Sequence, residues 1–139
     1  MIYYTDWWCS PNPWKWGWWF VVIKDWLRID EMSGWSKQTT NNRMELTAII
    51  KALDYARVVW DKDIKIITDS KLCINTCSKW IFSWRANNEI DTHKNPDLLM
   101  EVLPLLYSLK PKFEWVKGHN GNKWNEYVDE LCTREIVFY

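Results

Sequence analysis

Four acidic residues stand where their carboxylates could act together. Asp6 and Asp69 each follow a segment that reads as a β-strand, Glu45 lies near the start of a long amphipathic stretch, and Asp129 lies in the last one. Sites in open α/β sheets form beyond the carboxyl ends of the strands, so Asp6 and Asp69 would converge if their strands are neighbours. Clustered carboxylates repel one another unless cations neutralise them. Oxygen ligands without Cys or His partners favour Mg²⁺ or Mn²⁺ over zinc.

The segments that must position these acids alternate between strand and helix patterns. β-Branched and aromatic runs bounded by Pro, Asn, Asp or Gly predict the strands. The third of them is weak, because its apolar residues are interrupted by charged ones. Five strands are predicted, over residues 1–5 (ending at Asp6), 18–24, part of 26–36, 63–68 and 112–116.

Helices are predicted between and after these strands. Thr39, Thr40 and Asn41 are capping residues ahead of a stripe in which apolar side chains recur at helical spacing from Leu46 to Leu53. Further helices are expected over 70–80, over 96–109 and at the C-terminal end, with a polar loop over 85–95. Pro104 should kink or end the helix that contains it. The order of elements indicates one mixed sheet flanked by helices.

Length and composition restrict the class of protein. The chain has 139 residues, 47% of them apolar, and its charges balance to zero, as expected for one folded domain over 1–139. No apolar run approaches the roughly 18 residues that span a bilayer, and no signal peptide is evident. The four cysteines have no metal-site spacing, which favours reduced thiols in the cytoplasm. Cys73 and Cys77 are expected to be small buried apolar side chains.

Four motifs resemble the type 1 ribonuclease H family. They are TD followed by Cys9, TTNNRME over 39–45, TDS over 68–70, and VKGHNG over 116–121 with Asn125 and Asp129. They occur in family order over essentially the whole chain. The resemblance implies a five-stranded mixed sheet of order 3-2-1-4-5 flanked by helices. It also implies endonucleolytic hydrolysis of the RNA strand of RNA–DNA hybrids by a monomer with two Mg²⁺ ions, Mn²⁺ being an alternative, leaving 5′-phosphate and 3′-hydroxyl ends.

The resemblance also implies roles for individual residues. Metal-binding carboxylates match Asp6, Glu45, Asp69 and Asp129, and a histidine that assists proton transfer or product release matches His119. The positions that contact the hybrid match Cys9, Asn12, Asn41 and Asn42 in the minor groove, Thr40 and Asn95 at a DNA phosphate, and Trp80 and Trp84 along the DNA strand. These types suit the tasks, because amides and a carboxylate can bond a 2′-hydroxyl and indole faces can pack on sugars and bases.

Simpler interpretations remain open for several of these residues. His119 could be a loop residue without a role, although it lies in a glycine-flanked loop ahead of Asp129. Trp80 and Trp84 could be ordinary packing residues. Asn95 precedes a proline and could simply cap the following helix.

Tryptophan stands where the family has glycine. The chain contains 13 Trp and only 4 Gly. Trp7 and Trp8 replace the family's Gly-Ser, and Trp14, Trp16, Trp19 and Trp35 stand at further glycine positions of the family pattern. Glycine permits close backbone approach and positive φ, so each replacement could cost about 1–3 kcal/mol. Trp7, beside Asp6, should also hinder the RNA strand. Either the loop refolds, the chain is marginally stable, or the sequence is an altered form of a natural one.

Three functions therefore compete. The first is an active ribonuclease H. The second is a non-catalytic module that binds hybrid or single strands on its tryptophans, and the third is a related nuclease or an inactive, altered scaffold. The four acids favour the enzyme, because negative charge beside phosphates does not help a binding protein. Residues 85–95 carry few basic side chains, so electrostatic capture of the hybrid should be weak.

Overall fold

The computed structural model describes residues 1–9, 15–36 and 39–117, and no side chain is described for Cys9. Five strands form one sheet of order β3-β2-β1-β4-β5. Strand β1 pairs antiparallel with β2 and parallel with β4, and β5 is parallel to β4. The predicted order 3-2-1-4-5 is therefore confirmed. The strands are β1 Ile2–Cys9, β2 Trp16–Lys24, β3 Leu27–Ser36, β4 Lys65–Thr68 and β5 Lys112–Trp115.

The helices of the described residues follow β3 and β4. They are α1 Asn41–Val58, α2 Lys71–Asn75, a π-helical turn Thr76–Trp80, α3 Ile81–Ala86, a 3₁₀ turn Ile90–Thr92 and α4 Pro96–Leu109. The predicted last helix, with Val128, Leu131 and Cys132, lies outside the described residues.

Several predicted boundaries were wrong. Strand β1 does not end before Asp6 but continues to Cys9, because β2 begins at Trp16 and pairs with the added residues. The helix predicted over 70–80 begins one residue later and continues through a π-helical turn to Ala86, which removes the start of the predicted loop. Helix α4 runs through Pro104 to Leu109. Its proline therefore does not end the helix.

The sheet has one apolar cluster on each face. Tyr3, Phe20 and Val22 pack with α1 and α4 in the larger cluster, which also contains the buried Cys73 and Cys77 thiols as predicted. Tyr4 and Val21, one position along each strand, belong to the second cluster on the other face. This alternation is the period of two expected for a sheet buried on both faces.

The antiparallel strands β1, β2 and β3 accommodate part of the unusual tryptophan content. The Trp8 ring lies over Gly17, and the Trp18 ring lies over Gly34, so a side chain at either glycine would collide with an indole. Each pair is directly opposite in the strand register. An aromatic ring can cover a cross-strand glycine in this way and compensate for its missing side chain.

The tryptophans predicted to be misfits have three different outcomes. Trp19 is buried in the second cluster, although its Nε1 has no hydrogen-bond partner among the described residues. Trp7 and Trp16 stack on each other with ring centroids 5.5 Å apart. Trp35 is exposed, and Trp14 lies outside the described residues.

Candidate active site and nucleic-acid surface

Strands β1 and β4 bring Asp6 and Asp69 to the same level of the sheet. Tyr4 and Ile67 are register partners on these parallel strands, and each acid lies two residues further along. Asp6 is only 5% exposed, and its Oδ1 accepts a hydrogen bond of 2.8 Å from the Trp7 backbone N–H. Asp69 is half-buried just beyond the end of β4. The condition that the sequence analysis set for convergence of this pair, that their strands are neighbours, is therefore met.

Helix α1 supplies Glu45 from the side. Glu45 is the fifth residue of the helix and lies just past its first turn. Burial raises the pKa of its carboxyl, and the negative charge of Asp69 acts in the same direction. Hydrogen bonding with the side chains of Ser70 and Trp7 lowers the pKa and offsets part of this rise. Glu45 therefore interacts with Trp7, which follows Asp6, and with Asp69 and Ser70.

Ser70 fixes the turn that carries Asp69. Its Oγ accepts a 3.1 Å hydrogen bond from the Cys73 backbone N–H, which caps α2, and its own N–H donates to Thr68 Oγ1 at 3.2 Å. Sequence reasoning did not include Ser70 in the site. The signal was nevertheless available, because a serine between a strand and a helix is a typical N-cap.

Trp115 also holds Asp69 and was not predicted. Its indole Nε1 donates a 3.0 Å hydrogen bond to the Asp69 carbonyl oxygen. The Lys71 ammonium lies 4.2 Å from the Trp115 ring centroid, a cation–π contact at the rim of the acidic group. Nothing in the local sequence pattern links positions 69 and 115, because β5 reaches β4 only through the sheet.

Asp6, Glu45 and Asp69, the acidic group of the described residues, have the chemistry of a hard-cation site. Its donors are carboxylate oxygens, one of them on a nearly buried side chain, and such oxygens suit Mg²⁺ or Mn²⁺. Within residues 1–9, 15–36 and 39–117, however, no group of three or more acidic, His or Cys residues is close enough to hold an ion. Mutual repulsion of uncompensated carboxylates favours such separation. Asp129 and His119 lie outside the described residues.

A cavity of about 290 Å³ joins several predicted substrate contacts. Trp80 and Trp84 line one side of it, with ring centroids 6.2 Å apart. His93 stacks on Trp84 at 3.7 Å, which sequence reasoning did not foresee. Trp80 is 42% exposed, so packing in the core does not account for it. The lining consists of Asn42, Leu46, Leu72, Cys73, Thr76, Trp80, Trp84, His93, Lys94, Asn95 and Leu99.

The predicted polar contacts lie around the start of α1. Thr40 is the N-cap, since its Oγ1 accepts a 3.2 Å hydrogen bond from the Arg43 N–H. Asn41 is exposed, and its Oδ1 accepts a bond from the Asn42 N–H at 2.9 Å. Cys9 ends β1, and Asn12 lies outside the described residues.

Asn95 is not a side-chain helix cap. It has left-handed backbone angles, φ 60° and ψ 48°, and its side chain makes no capping bond to α4. Instead, its Oδ1 accepts a 3.1 Å hydrogen bond from Arg43 Nη1. Asn95 therefore occupies the N-cap position of α4 without capping the helix through its side chain, and the amide is turned toward the start of α1.

Comparison with known proteins identifies the class. This chain has a mixed sheet of order 3-2-1-4-5, with Asp6 inside β1 and Asp69 just beyond β4, and solved ribonuclease H domains share this fold. The solution structure of the prototype foamy virus RNase H domain superposes with a TM-score of 0.80 at 18% identity, covering 99% of this chain and 94% of that one. The family model for RNase H matches residues 1–137.

Curated relatives agree. A ribonuclease H of Treponema denticola is 41% identical over 148 residues, which cover 94% of this chain and 92% of the relative. A ribonuclease H of Francisella philomiragia is 41% identical over 142 residues, which cover 99% of this chain and 91% of the relative. The chain belongs to the ribonuclease H family. None of the helices in the described part of the chain is long and apolar enough to cross a membrane.

Proposed function

We propose that this chain hydrolyses the RNA strand of RNA–DNA hybrids endonucleolytically and leaves 5′-phosphate and 3′-hydroxyl ends. The observation that carries the assignment is the level placement of Asp6 and Asp69 on adjacent strands beside Glu45, in a chain of the ribonuclease H family. Together with Asp129, these residues would hold two Mg²⁺ ions, with Mn²⁺ as the alternative. Two such ions supply an activated water and stabilise the leaving oxygen.

The protein's own groups orient these reactants. The Trp7 N–H bond fixes one carboxylate oxygen of Asp6, and the Ser70 and Trp115 bonds fix the turn that carries Asp69. His119 would take up or deliver a proton near the leaving group. Preorganised acids of this kind avoid the energetic cost of rearrangement during the reaction.

Recognition of the hybrid would use the surface around α1. Asn41 and Asn42, with Cys9 and Asn12, would read the minor groove and the 2′-hydroxyls. Thr40 and Asn95 would bind a DNA-strand phosphate, and Trp80 and Trp84 would pack along that strand. The cavity that joins Asn42, Trp80, Trp84 and Asn95 supports this division.

We also propose that residues 1–139 act as a single domain and as a monomer in the cytoplasm. The described thiols, Cys73 and Cys77, are free and buried, which is compatible with a reducing compartment.

The test is cleavage of three labelled substrates, each with and without Mg²⁺. We expect Mg²⁺-dependent cuts in the RNA strand of the hybrid, and little cleavage of single-stranded RNA or duplex DNA. Equal rates on hybrid and single-stranded RNA would instead indicate a general nuclease. The hydrogen bonding of the Trp7 side chain with Glu45 favours a second candidate, an impaired hybrid-binding scaffold. Hybrid binding without cleavage at any Mg²⁺ concentration would identify it.

A further inference from the structure

Arg43 connects the two residues proposed to bind a DNA-strand phosphate. Its backbone N–H donates to Thr40 Oγ1 at 3.2 Å, and its guanidinium donates to Asn95 Oδ1 at 3.1 Å. The same guanidinium makes a forked contact to Asp97, with bonds of 2.9 and 2.7 Å. One side chain therefore ties the start of α1 to the start of α4.

The contact determines which way the Asn95 amide faces. A guanidinium has donors only, so the atom that faces it must be the amide oxygen. The amide nitrogen, with its two hydrogens, is then directed away from Arg43. An anion such as phosphate needs hydrogen-bond donors, and this orientation supplies them.

Because Asp97 offsets the positive charge of Arg43, the guanidinium acts mainly by orienting Asn95. The forked ion pair sets a carboxylate against the guanidinium charge, and it lowers the pKa of Asp97 to about 2. Arg43 then adds little net positive charge to the surface. Its planar fork can hold Asn95 and Asp97 at once, which the single ammonium of a lysine cannot reproduce.

We propose that Arg43 is a positioning residue for the DNA strand, holding the Asn95 amide so that it donates to a phosphate. This inference rests on the proposed function. Replacing Arg43 by Lys should raise KM for the hybrid about fivefold, the effect of one lost hydrogen bond, and leave kcat nearly unchanged. The matched control is Arg57→Lys, near the other end of α1, which should leave KM unchanged.

A chemical probe separates positioning from a general loss of stability. Hybrids are made with one neutral methylphosphonate at each DNA phosphate in turn. In the parent chain, one substitution should weaken binding, and this sensitivity should disappear in Arg43→Lys and in Asn95→Ala. Retention of the parent's sensitivity and KM in Arg43→Lys would overturn the inference. Affinities measured with Ca²⁺ in place of Mg²⁺ test Arg43 even if the parent proves not to cleave, an outcome that would contradict the proposed function alone.

A second inference comes from the backbone of two tryptophans. Asp25 and Trp26 form the two-residue turn between β2 and β3, with φ 53° and 66°. Positive φ at both positions defines a type I′ turn, for which Asp-Gly is a preferred sequence. Trp26 is 83% exposed, so its ring gains almost no packing in return for this conformation.

Trp60 stands at the other glycine-demanding position. It follows α1 with φ 59°, its N–H donates to the Arg57 carbonyl, and the Asp61 N–H donates to the Ala56 carbonyl. These two bonds form a Schellman motif, whose left-handed residue is usually glycine. Trp60 is 78% exposed, and the Lys62 ammonium lies 5.8 Å from the centroid of its ring.

We infer that positions 26 and 60 carry glycine when the gene is expressed in its own organism. The codon UGA is read as tryptophan in some genetic codes and differs from the glycine codon GGA by its first base. A host that reads UGA as glycine would account for both conformations and for the 13 Trp and 4 Gly of the chain. Trp115, whose indole bonds the Asp69 carbonyl oxygen, would be encoded by UGG.

The test is the gene's codons together with mass spectrometry of peptides from the native protein. We expect UGA at 26 and 60, and also at 7, 14, 16, 19 and 35, where the family pattern has glycine. UGG is expected at 115. Native peptides that span residues 26 and 60 should have the mass of glycine. UGG at these two codons, or tryptophan in the native peptides, would overturn the inference.

Discussion

The indole of Trp115 holds the backbone of Asp69 through an Nε1–H to carbonyl oxygen bond of 3.0 Å. The bond joins the end of β5 to the residue that follows β4, next to the Val116 N–H to Thr68 carbonyl bond. Because Asp69 lies beyond the last residue of its strand, no β4–β5 ladder pair fixes its position. The side chain of Trp115 supplies the missing restraint.

Trp115→Phe should therefore lower both the cleavage rate and the stability of the folded chain. Phenylalanine keeps a ring beside Lys71 but cannot donate to the Asp69 carbonyl. We expect a loss of about 1 kcal/mol in stability, the typical net value of one hydrogen bond, and a several-fold lower kcat. Thermal unfolding and hybrid cleavage measure the two effects. An unchanged kcat would show that β5 positions Asp69 without the indole.

Asp69→Asn should abolish Mg²⁺-dependent cleavage while the protein stays folded. The amide is a weaker ligand without charge, and the substitution removes the repulsion between position 69 and Glu45. The stability of the metal-free protein should therefore be equal to or slightly above that of the parent. Matched measurements on Asp63→Asn, an exposed acid near the start of β4, provide the control. Full activity of Asp69→Asn would exclude Asp69 as a ligand.

Trp7→Gly should raise turnover. Trp7 stacks on Trp16, and its side chain interacts with Glu45 by hydrogen bonding, so it competes with cation and substrate for that carboxylate. Glycine removes the ring and leaves the backbone N–H that bonds Asp6 Oδ1. Comparison with Trp7→Phe, which keeps bulk and loses the donor, separates obstruction from competition. If neither variant cleaves faster than the parent, Trp7 is compatible with access of the RNA strand.

The sequence predicted the architecture because its strongest signals are local ones. The aromatic and β-branched runs of β1 and β2 and the apolar stripe of α1 identify the buried elements, and the order of these elements predicts the sheet. The errors have longer-range causes. Strand β1 reaches Cys9 because β2 pairs with it, and Trp19 is buried because it belongs to one apolar cluster with Val21 of its own strand and Tyr4 of β1. The links from Arg43 to Asn95 and from Trp115 to Asp69 join residues 52 and 46 positions apart, which no local pattern encodes.

Lowering the pH should remove the stability that the Arg43–Asp97 ion pair contributes. The pKa of Asp97 is lowered from 3.8 to about 2 in the folded chain, chiefly by hydrogen bonding from Arg43. A carboxyl with a lowered folded pKa contributes stability that is present above its unfolded pKa and is lost as the pH falls through its folded pKa. The parent should therefore lose stability relative to Asp97→Asn between about pH 4 and pH 2. Because Asp97 is 61% exposed, solvent screening should keep the difference to about 1 kcal/mol or less. Identical pH profiles in denaturant titrations would show that the pair adds nothing.

Glycine at the two left-handed tryptophans should stabilise the folded chain. Left-handed backbone costs a residue with a side chain about 1–2 kcal/mol, and neither exposed ring offsets that cost by packing. Trp26→Gly and Trp60→Gly should each raise the free energy of unfolding by about 1 kcal/mol, which corresponds to a few degrees in Tm. Trp26→Ala and Trp60→Ala are the matched controls, because alanine removes the ring but keeps the strained conformation. At both sites we expect the glycine variant to have a higher free energy of unfolding than the alanine variant, and the alanine variant to be close to the parent. If alanine stabilises as much as glycine, the exposed ring rather than the backbone is what costs stability at positions 26 and 60.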